Sequence, residues 1–501
     1  MSKKILIVGA GPGGLASAIL LAAAGFEVDV VERGSQVGGR TSALEADGFK
    51  FDVGPTFFLY PEVLEEIFRA AGFSLRDEVN LVRLDPQYRL IFGSGGELLA
   101  TPNREEMKKR IAELCPADAA GFDTFLAENR TKFEKFKPCL QMPYLGLSDV
   151  TSTRMLKLLP ILRPWNSVDD ELARHFSDPR VRLAFAFQSK YLGMSPFKCP
   201  GLFSILSYIE YEFGVFHPIG GCNAVTAAMA RVATKLGAKI HLNTEVTSMI
   251  FEGRRAIGAK TVDGDFRGDA IVVNADFAHA MQRLVPNNIR RRWTDAKLEK
   301  KKYSCSTFML YLGIKGTYDN IAHHNIYLAK DYLQNLKDIE KDHVLSEDPS
   351  VYVQNACVTD PSLAPAGCST LYVLAPVTHM HPNVDWKTQS KQFRQRVLKQ
   401  LPKLGIDGVE DRIQFERVIT PANWQNDAKI FRGATFNLAH NLGQLLHLRP
   451  RNRFEDVDGV YLAGGGTHPG SGLPVIFESA RIAAKLIGND LGIPVAVGGD
   501  A

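Results

Sequence analysis

The chain has 501 residues, 45% hydrophobic and 23% charged, with a formal net charge of +4. That length can bury a large core and allows roughly two to four domains, while so small a charge gives no reason to expect a nucleic-acid partner. Seven cysteines, at 115, 139, 199, 222, 305, 357 and 368, are odd in number, scattered and free of any C-x-x-C pair, which suits a reducing cytoplasm and argues against a disulfide framework or a zinc site. No run reaches the roughly eighteen apolar residues of a membrane span, so any membrane contact is expected to be peripheral.

The first element in the chain is the most informative. Ile5 to Val8 is a short buried strand, and Gly9, Gly11 and Gly14 form a tight turn after it. Leu15 to Ala24 reads as an apolar helix, and Val28 to Val31 as the next parallel strand, closed by Glu32. This is a βαβ unit with the dinucleotide fingerprint. Gly9 permits the turn, Gly11 lets the backbone approach a pyrophosphate, and Gly14 lets helix and strand pack closely. The phosphates would then meet unpaired N–H groups at the positive end of the helix. Glu32 would accept hydrogen bonds from a ribose diol. The acidic residue is followed by Gly38-Gly39-Arg40, an extension carried by flavoproteins of the glutathione-reductase and amine-oxidase kind, which points to FAD rather than NAD. Lys3-Lys4 ahead of Leu15 to Ala24 could pass for a signal peptide, but Gly9 to Gly14 interrupts the apolar run.

Phe49 to Asp52 reads as a strand ending in the turn Val53-Gly54-Pro55-Thr56, and Glu62 to Ala71 as a helix stopped by Gly72. Helical patterns dominate from 104 to 212: Arg104 to Leu114, Gly121 to Phe136, Thr153 to Leu162, Ser167 to Phe176 and Pro179 to Tyr191. Within this insertion Met155 to Trp165 sets bulky apolar side chains beside basic ones; it reads first as buried core and second as a helix lying on a membrane surface. The α/β pattern returns at His217. The helix Ala224 to Leu236, the strand Lys239 to Leu242, a hairpin over Val246 to Glu252 and Ala256 to Val262, and the buried strand Ala270 to Asn274 follow in turn. Arg290 to Arg292 and Lys297 to Lys302 read as solvated helix faces, with anionic headgroups as the alternative. Phe308 to Ile314, Val351 to Val358 and Thr370 to Val377 are expected in a mixed sheet flooring a second cavity, and Asp385 to Leu401 is a helix.

The second informative stretch is Asp458 to Pro474, a buried strand running into a loop that holds Gly464, Gly465, Gly466, Gly470 and Gly472. Pro474 takes the favoured first-turn position of the helix that follows. Its N–H groups and dipole suit the side of an isoalloxazine that gains negative charge on reduction.

On these residues the chain resembles the bacterial-type FAD-dependent phytoene desaturases, the acyclic carotenoid desaturases. The resemblance runs nearly end to end. It rests on Asp52-Val-Gly-Pro-Thr56, Phe213 to Gly221, Cys357 to Pro365, Leu374 to Val377 and Gly464 to Pro474, the last holding the specific run Gly466-Thr467-His468-Pro469-Gly470-Ser471-Gly472. It implies an α/β fold: an amine-oxidase-like, Rossmann-type FAD-binding domain over 1–100, 217–300 and 445–501, and a mixed-sheet substrate domain over 101–216 and 301–444. The helical insertion 104–212 would be membrane-associated, on the cytoplasmic side. The implied reaction is removal of two hydrogens from a linear isoprenoid, with oxygen or a quinone as final electron acceptor.

The expected FAD contacts are Gly9, Gly11, Gly13, Gly14, Glu32, Arg33, Gly39 and Arg40, then Pro55, Thr56, Val246 and Asn274, then Gly464, Gly465, Gly466, Gly472, Leu473 and Pro474. The expected proton acceptors are Asp149, which falls where family members carry an acidic residue, and Glu210. The neighbour of Asp149 is Ser148 rather than the arginine found in those members. His323-His324 and His379-x-His381 read as ordinary sheet histidines, since no third ligand accompanies them. An isomerase, terminal-methyl oxidase or saturase of the same fold, an amine oxidase, and a non-enzymatic prenyl-binding escort protein remain as alternatives.

Overall fold

A computed structural model describes residues 3–499. At its centre lies a five-stranded, all-parallel sheet in the order Lys239–His241, Glu27–Val31, Lys4–Val8, Ala270–Val273, Val460–Leu462. Both faces are covered, and the three central and C-terminal strands accordingly carry uninterrupted apolar runs, Ile5 to Val8, Ala270–Val273 and Val460–Leu462. Ile5 and Ile7 face the core built with helices Pro12–Ala23 and Leu473–Leu491, whereas Leu6 and Val8 face a second core holding Phe277 and Trp293. Strands separated by more than 450 positions, Lys4–Val8 and Val460–Leu462, thus share one sheet, with Ala270–Val273 between them.

A three-stranded antiparallel sheet, Val246–Glu252, Arg255–Thr261 and Gly264–Arg267, adds one strand to the expected hairpin. The largest sheet has seven strands, ordered Ile413–Ile419, Ser306–Lys315, Cys368–Val377, Val351–Gln354, His324–Leu328, Tyr88–Phe92, Glu97–Ala100. It is mixed, with one parallel pair, His324–Leu328 against Tyr88–Phe92. Residues 88–100, grouped by sequence with the cofactor part, therefore hydrogen-bond into this sheet. Period-two alternation sorts its side chains: Phe308, Leu310, Leu312 and Ile314 pack with Phe393 and Val397 of helix Trp386–Leu398, while Met309, Tyr311 and Tyr372 pack on Phe49 and Phe51 at the other face. The strand expected over 351–358 ends at Gln354, and a short 3-10 turn, Ala356–Val358, follows.

The insertion is helical, with Arg104–Leu114, Gly121–Leu140, Thr153–Leu162, Pro179–Ala186 and Ile205–Phe213 around an aromatic core that includes Phe125, Phe176 and Phe185. Asn103 and Ser152 cap two of these helices through their side chains. Helix Thr153–Leu162 has two faces: Met155, Leu158 and Leu162 are buried, and Leu156 and Leu159 are exposed beside Arg154 and Lys157. The basic run at 290–292 is only partly solvated, with Arg291 exposed and its two neighbours held by the protein. Arg290 is buried and donates to Asp295 Oδ1 (2.7 Å) and the Trp293 carbonyl (2.7 Å), and Arg292 donates to the His447 carbonyl (2.6 Å).

Candidate cofactor and substrate cavity

One cavity of about 1080 Å³ joins the glycine turn of the parallel sheet to the seven-stranded sheet. Its volume stands at the top of the range of about 300–1,000 Å³ for a single small-ligand site, and its two ends differ in lining.

The cofactor end is built from backbone that tolerates no side chain. Gly9 has φ +100, and a Cβ there would stand 2.9 Å from the Asn274 carbonyl oxygen; a Cβ on Gly14 would collide with the Gly9 carbonyl. Glu32 is held in place because its Oε2 accepts the Ala10 amide and its Oε1 the Gly34 amide, both at 2.8 Å. A carboxylate offers about four lone-pair sites, so acceptors remain for a diol in the cavity that Glu32 lines. Asn274 donates to the Ala463 carbonyl at 2.8 Å and so ties the first glycine turn to the last. Its buried Oδ1 has no protein partner, an acceptor left for a bound group.

The C-terminal glycine loop is anchored by Arg449. This fully buried guanidinium donates to the carbonyls of Gly465 (2.8 Å), Thr467 (3.1 Å) and Leu438 (3.3 Å), and burial pulls its pKa down to about 9. Carbonyls held back in this way leave the loop's other polar face for the cavity. Arg40 reaches the Thr435 carbonyl, and Asn437 bridges it to Asp276, accepting from Arg40 Nη2 (3.1 Å) and donating to Asp276 Oδ2 (2.6 Å). A fixed diol acceptor, an orphaned amide oxygen and two glycine turns facing one space fit FAD.

All the expected FAD contacts line this cavity except Gly13, Gly14 and Gly466. Gly13 and Gly14 sit in the first helical turn, and a Cβ on Gly466 would meet Phe277.

The other end is apolar. Ile326, Tyr352, Tyr372 and Leu374 come from the sheet, Phe57 from the turn after Asp52, and Leu206 and Ile209 from the helical insertion. Tyr311 and Tyr372 donate to the Val53 (2.6 Å) and Gly54 (2.7 Å) carbonyls, fixing the turn that carries Pro55 and Thr56.

The two expected proton acceptors stand elsewhere. Asp149 Oδ2 accepts the Leu145 (2.7 Å) and Gly146 (2.8 Å) amides and caps the short helix Leu147–Val150, away from the cavity wall. Ser148 gives it no arginine neighbour in sequence, and backbone amides take that place. Glu210 is fully buried one layer behind the wall, where it accepts from Gln188 Nε2 (2.8 Å) and Tyr88 Oη (3.1 Å), and burial raises its pKa to about 7. Tyr191, which does line the cavity, is its neighbour. Glu212 forms surface ion pairs with Arg104 and Arg130. Among the described residues no group of three or more His, Cys, Asp or Glu is placed to hold a metal.

Sequence reasoning passed over Tyr352, Tyr372, Asn437 and Arg449. Tyrosines alternating in a strand carry the signal of core, and a lone arginine before a loop carries none.

The model of the flavin containing amine oxidoreductase family matches residues 12–488. The chain is 44% identical, over 97% of its length and 95% of the relative's, to a 4,4'-diapophytoene desaturase (4,4'-diapolycopene-forming) of Methylomonas sp. It is 42% identical, over 98% and 94%, to the all-trans-zeta-carotene desaturase of Myxococcus xanthus. Among solved structures it shares its fold with a putrescine oxidase bound to putrescine, at TM-score 0.63 and 16% identity over 98% of this chain and 99% of that one. The cyclohexylamine oxidase of Brevibacterium oxydans matches at TM-score 0.59 and 18% identity over 98% and 100%.

Proposed function

The chain belongs to the flavin containing amine oxidoreductases and, among them, to the bacterial carotenoid desaturases, and on that premise we propose that it desaturates a linear carotenoid precursor such as phytoene or diapophytoene, with FAD as cofactor. The observation that carries this reading is the joint cavity, a dinucleotide cradle opening directly onto an apolar floor.

FAD, when bound, supplies a two-electron acceptor. The protein's own groups do the rest. Glu32 and the two glycine turns hold the cofactor, and Arg449 keeps the second turn in register. A hydrocarbon offers no polar handle, so its binding comes from area removed from water, at about 25 cal/mol per Å². Phe57, Ile326, Leu374 and their neighbours supply that area and keep water from the reacting carbons.

Membrane association is part of the same reading. Met142, Leu147, Leu156, Leu159 and Trp165 are exposed apolar side chains within one stretch, and such patches mark interaction surfaces. Phe136 and Leu140, just ahead of that stretch, line the cavity, which gives a lipid-dissolved substrate a short route inward. No helix among the described residues is long and apolar enough to cross a membrane. The final electron acceptor is oxygen or a quinone.

The test is anaerobic incubation of the FAD-loaded protein with phytoene or diapophytoene in liposomes. Products lighter by multiples of two hydrogens, with bleaching of the flavin, are expected. Unchanged mass with altered retention would instead mean isomerisation.

A further inference from the structure

A hydrogen-bond chain leaves the apolar end of the cavity and enters the protein interior. Thr56 Oγ1 lies 2.7 Å from Tyr352 Oη, and Tyr352 Oη lies 2.8 Å from His324 Nδ1. Thr56 and Tyr352 line the cavity, and His324 is fully buried behind them. Strand pairing creates the contact: Ile326 is opposite Tyr352, so His324, two residues earlier on the same face, is the diagonal neighbour and within reach of a tyrosine. Phe57 stacks on the imidazole, centroids 3.9 Å apart at 12°, and fixes the ring.

Burial holds His324 well below its ordinary pKa and Tyr352 well above its own. At neutral pH both are therefore uncharged, a phenol O–H beside an imidazole with one free lone pair. The far nitrogen, Nε2, has no partner.

Resting on the desaturase reading, we propose that Tyr352 and His324 receive the proton released in desaturation. Removing two hydrogens sends one, with its bonding pair, to the flavin. The adjacent C–H bond then breaks, its electron pair becomes the new double bond, and its proton passes to Tyr352 Oη. Tyr352 returns to a neutral phenol by giving its own proton to His324 Nδ1, and the imidazolium later loses it to water. A weak base suffices, because the proton leaves a carbocation, and a weakly basic imidazole releases it again readily. Tyr352 is the catalytic residue in this scheme and His324 the relay behind it. Asp149 does not reach the wall, and Glu210 stands behind Tyr191.

The experiment compares wild type, Tyr352→Phe, His324→Gln and Glu210→Gln, each loaded with FAD, using the precursor unlabelled and deuterated at the carbon that loses the proton. Tyr352→Phe keeps the ring and is expected to retain FAD with an unchanged flavin spectrum and KM, while kcat falls about 100-fold. A primary deuterium effect, masked in wild type, is expected to emerge in Tyr352→Phe and His324→Gln. If His324→Gln fails to fold, Tyr352→Phe alone decides. Wild-type turnover by Tyr352→Phe overturns the relay, as does appearance of the new isotope effect in Glu210→Gln alone. A wild-type protein that removes no hydrogen overturns the desaturase reading itself, and the relay with it.

Discussion

Asp52 Oδ2 accepts the amide of Cys222 at 2.9 Å, across 170 positions of sequence, and its Oδ1 accepts the next amide, Asn223, at 3.1 Å. The carboxylate so caps helix Cys222–Lys235 and sets the turn carrying Pro55 and Thr56 against it. Asp52→Ala leaves the buried Cys222 amide and the half-buried Asn223 amide unpaired and is expected to cost about 2 kcal/mol. Asp52→Asn keeps one acceptor and should cost less. Denaturant unfolding of the two variants checks the order.

Glu210 makes stability depend on pH. Its folded pKa of about 7 lies above the unfolded value of 4.5, so the native state binds the proton more tightly. The contribution is complete below pH 4.5 and disappears as pH rises towards 7, a loss of about 3 kcal/mol. Glu210→Gln should flatten that slope in unfolding curves taken between these two values.

Gly11 lies on the cavity wall, and a Cβ there would stand 2.7 Å from Asn274 Oδ1. Gly11→Val is expected to abolish FAD retention, read from flavin absorbance after gel filtration. A full complement of FAD would refute this placement of the pyrophosphate.

Arg449→Met removes the donor to the Gly465, Thr467 and Leu438 carbonyls. Each buried unpaired group costs about 1–3 kcal/mol, so the variant should unfold earlier and bind FAD more weakly. Excess FAD should recover part of the lost stability, because the ligand favours the native state. Thermal melts with and without added FAD provide the measurement.

Trp165 is 64% and Leu156 56% exposed, so replacing them alters little of the fold. Leu156→Asp and Trp165→Ser should each weaken liposome binding roughly tenfold, the loss of about 1.5 kcal/mol of apolar burial, with unchanged melting temperature. Vesicle co-sedimentation tests this.

Much of the cofactor end was legible in the residues alone. Gly9, Gly14, Gly466 and Gly470 face positions where backbone or a close neighbour leaves no room for a Cβ, Gly472 has a φ of +118, and such demands show as glycine whatever the rest of the chain does. Glu32 could be read because its place follows from one local βαβ unit. The surroundings of the candidate acids could not. Asp149 and Glu210 are acids in helical stretches, and whether such a group meets a cavity, caps a helix or sits behind a tyrosine depends on packing with distant segments. Tyr352 and His324 lie on strands whose alternation matches ordinary core; their meeting comes from the pairing of Ile326 with Tyr352. In the basic run Arg290 is buried on local partners, Trp293 and Asp295, whereas the groups that hold Arg292, Asp456 and His447, arrive from about 160 residues away. An apolar substrate adds to the difficulty, because the side chains that would bind it are the same ones that build a core. Sequence by itself thus determined the fold class and the cofactor, through local backbone requirements, and tertiary structure alone decided which polar groups reach the cavity, because burial and hydrogen bonding are properties of assembled surfaces.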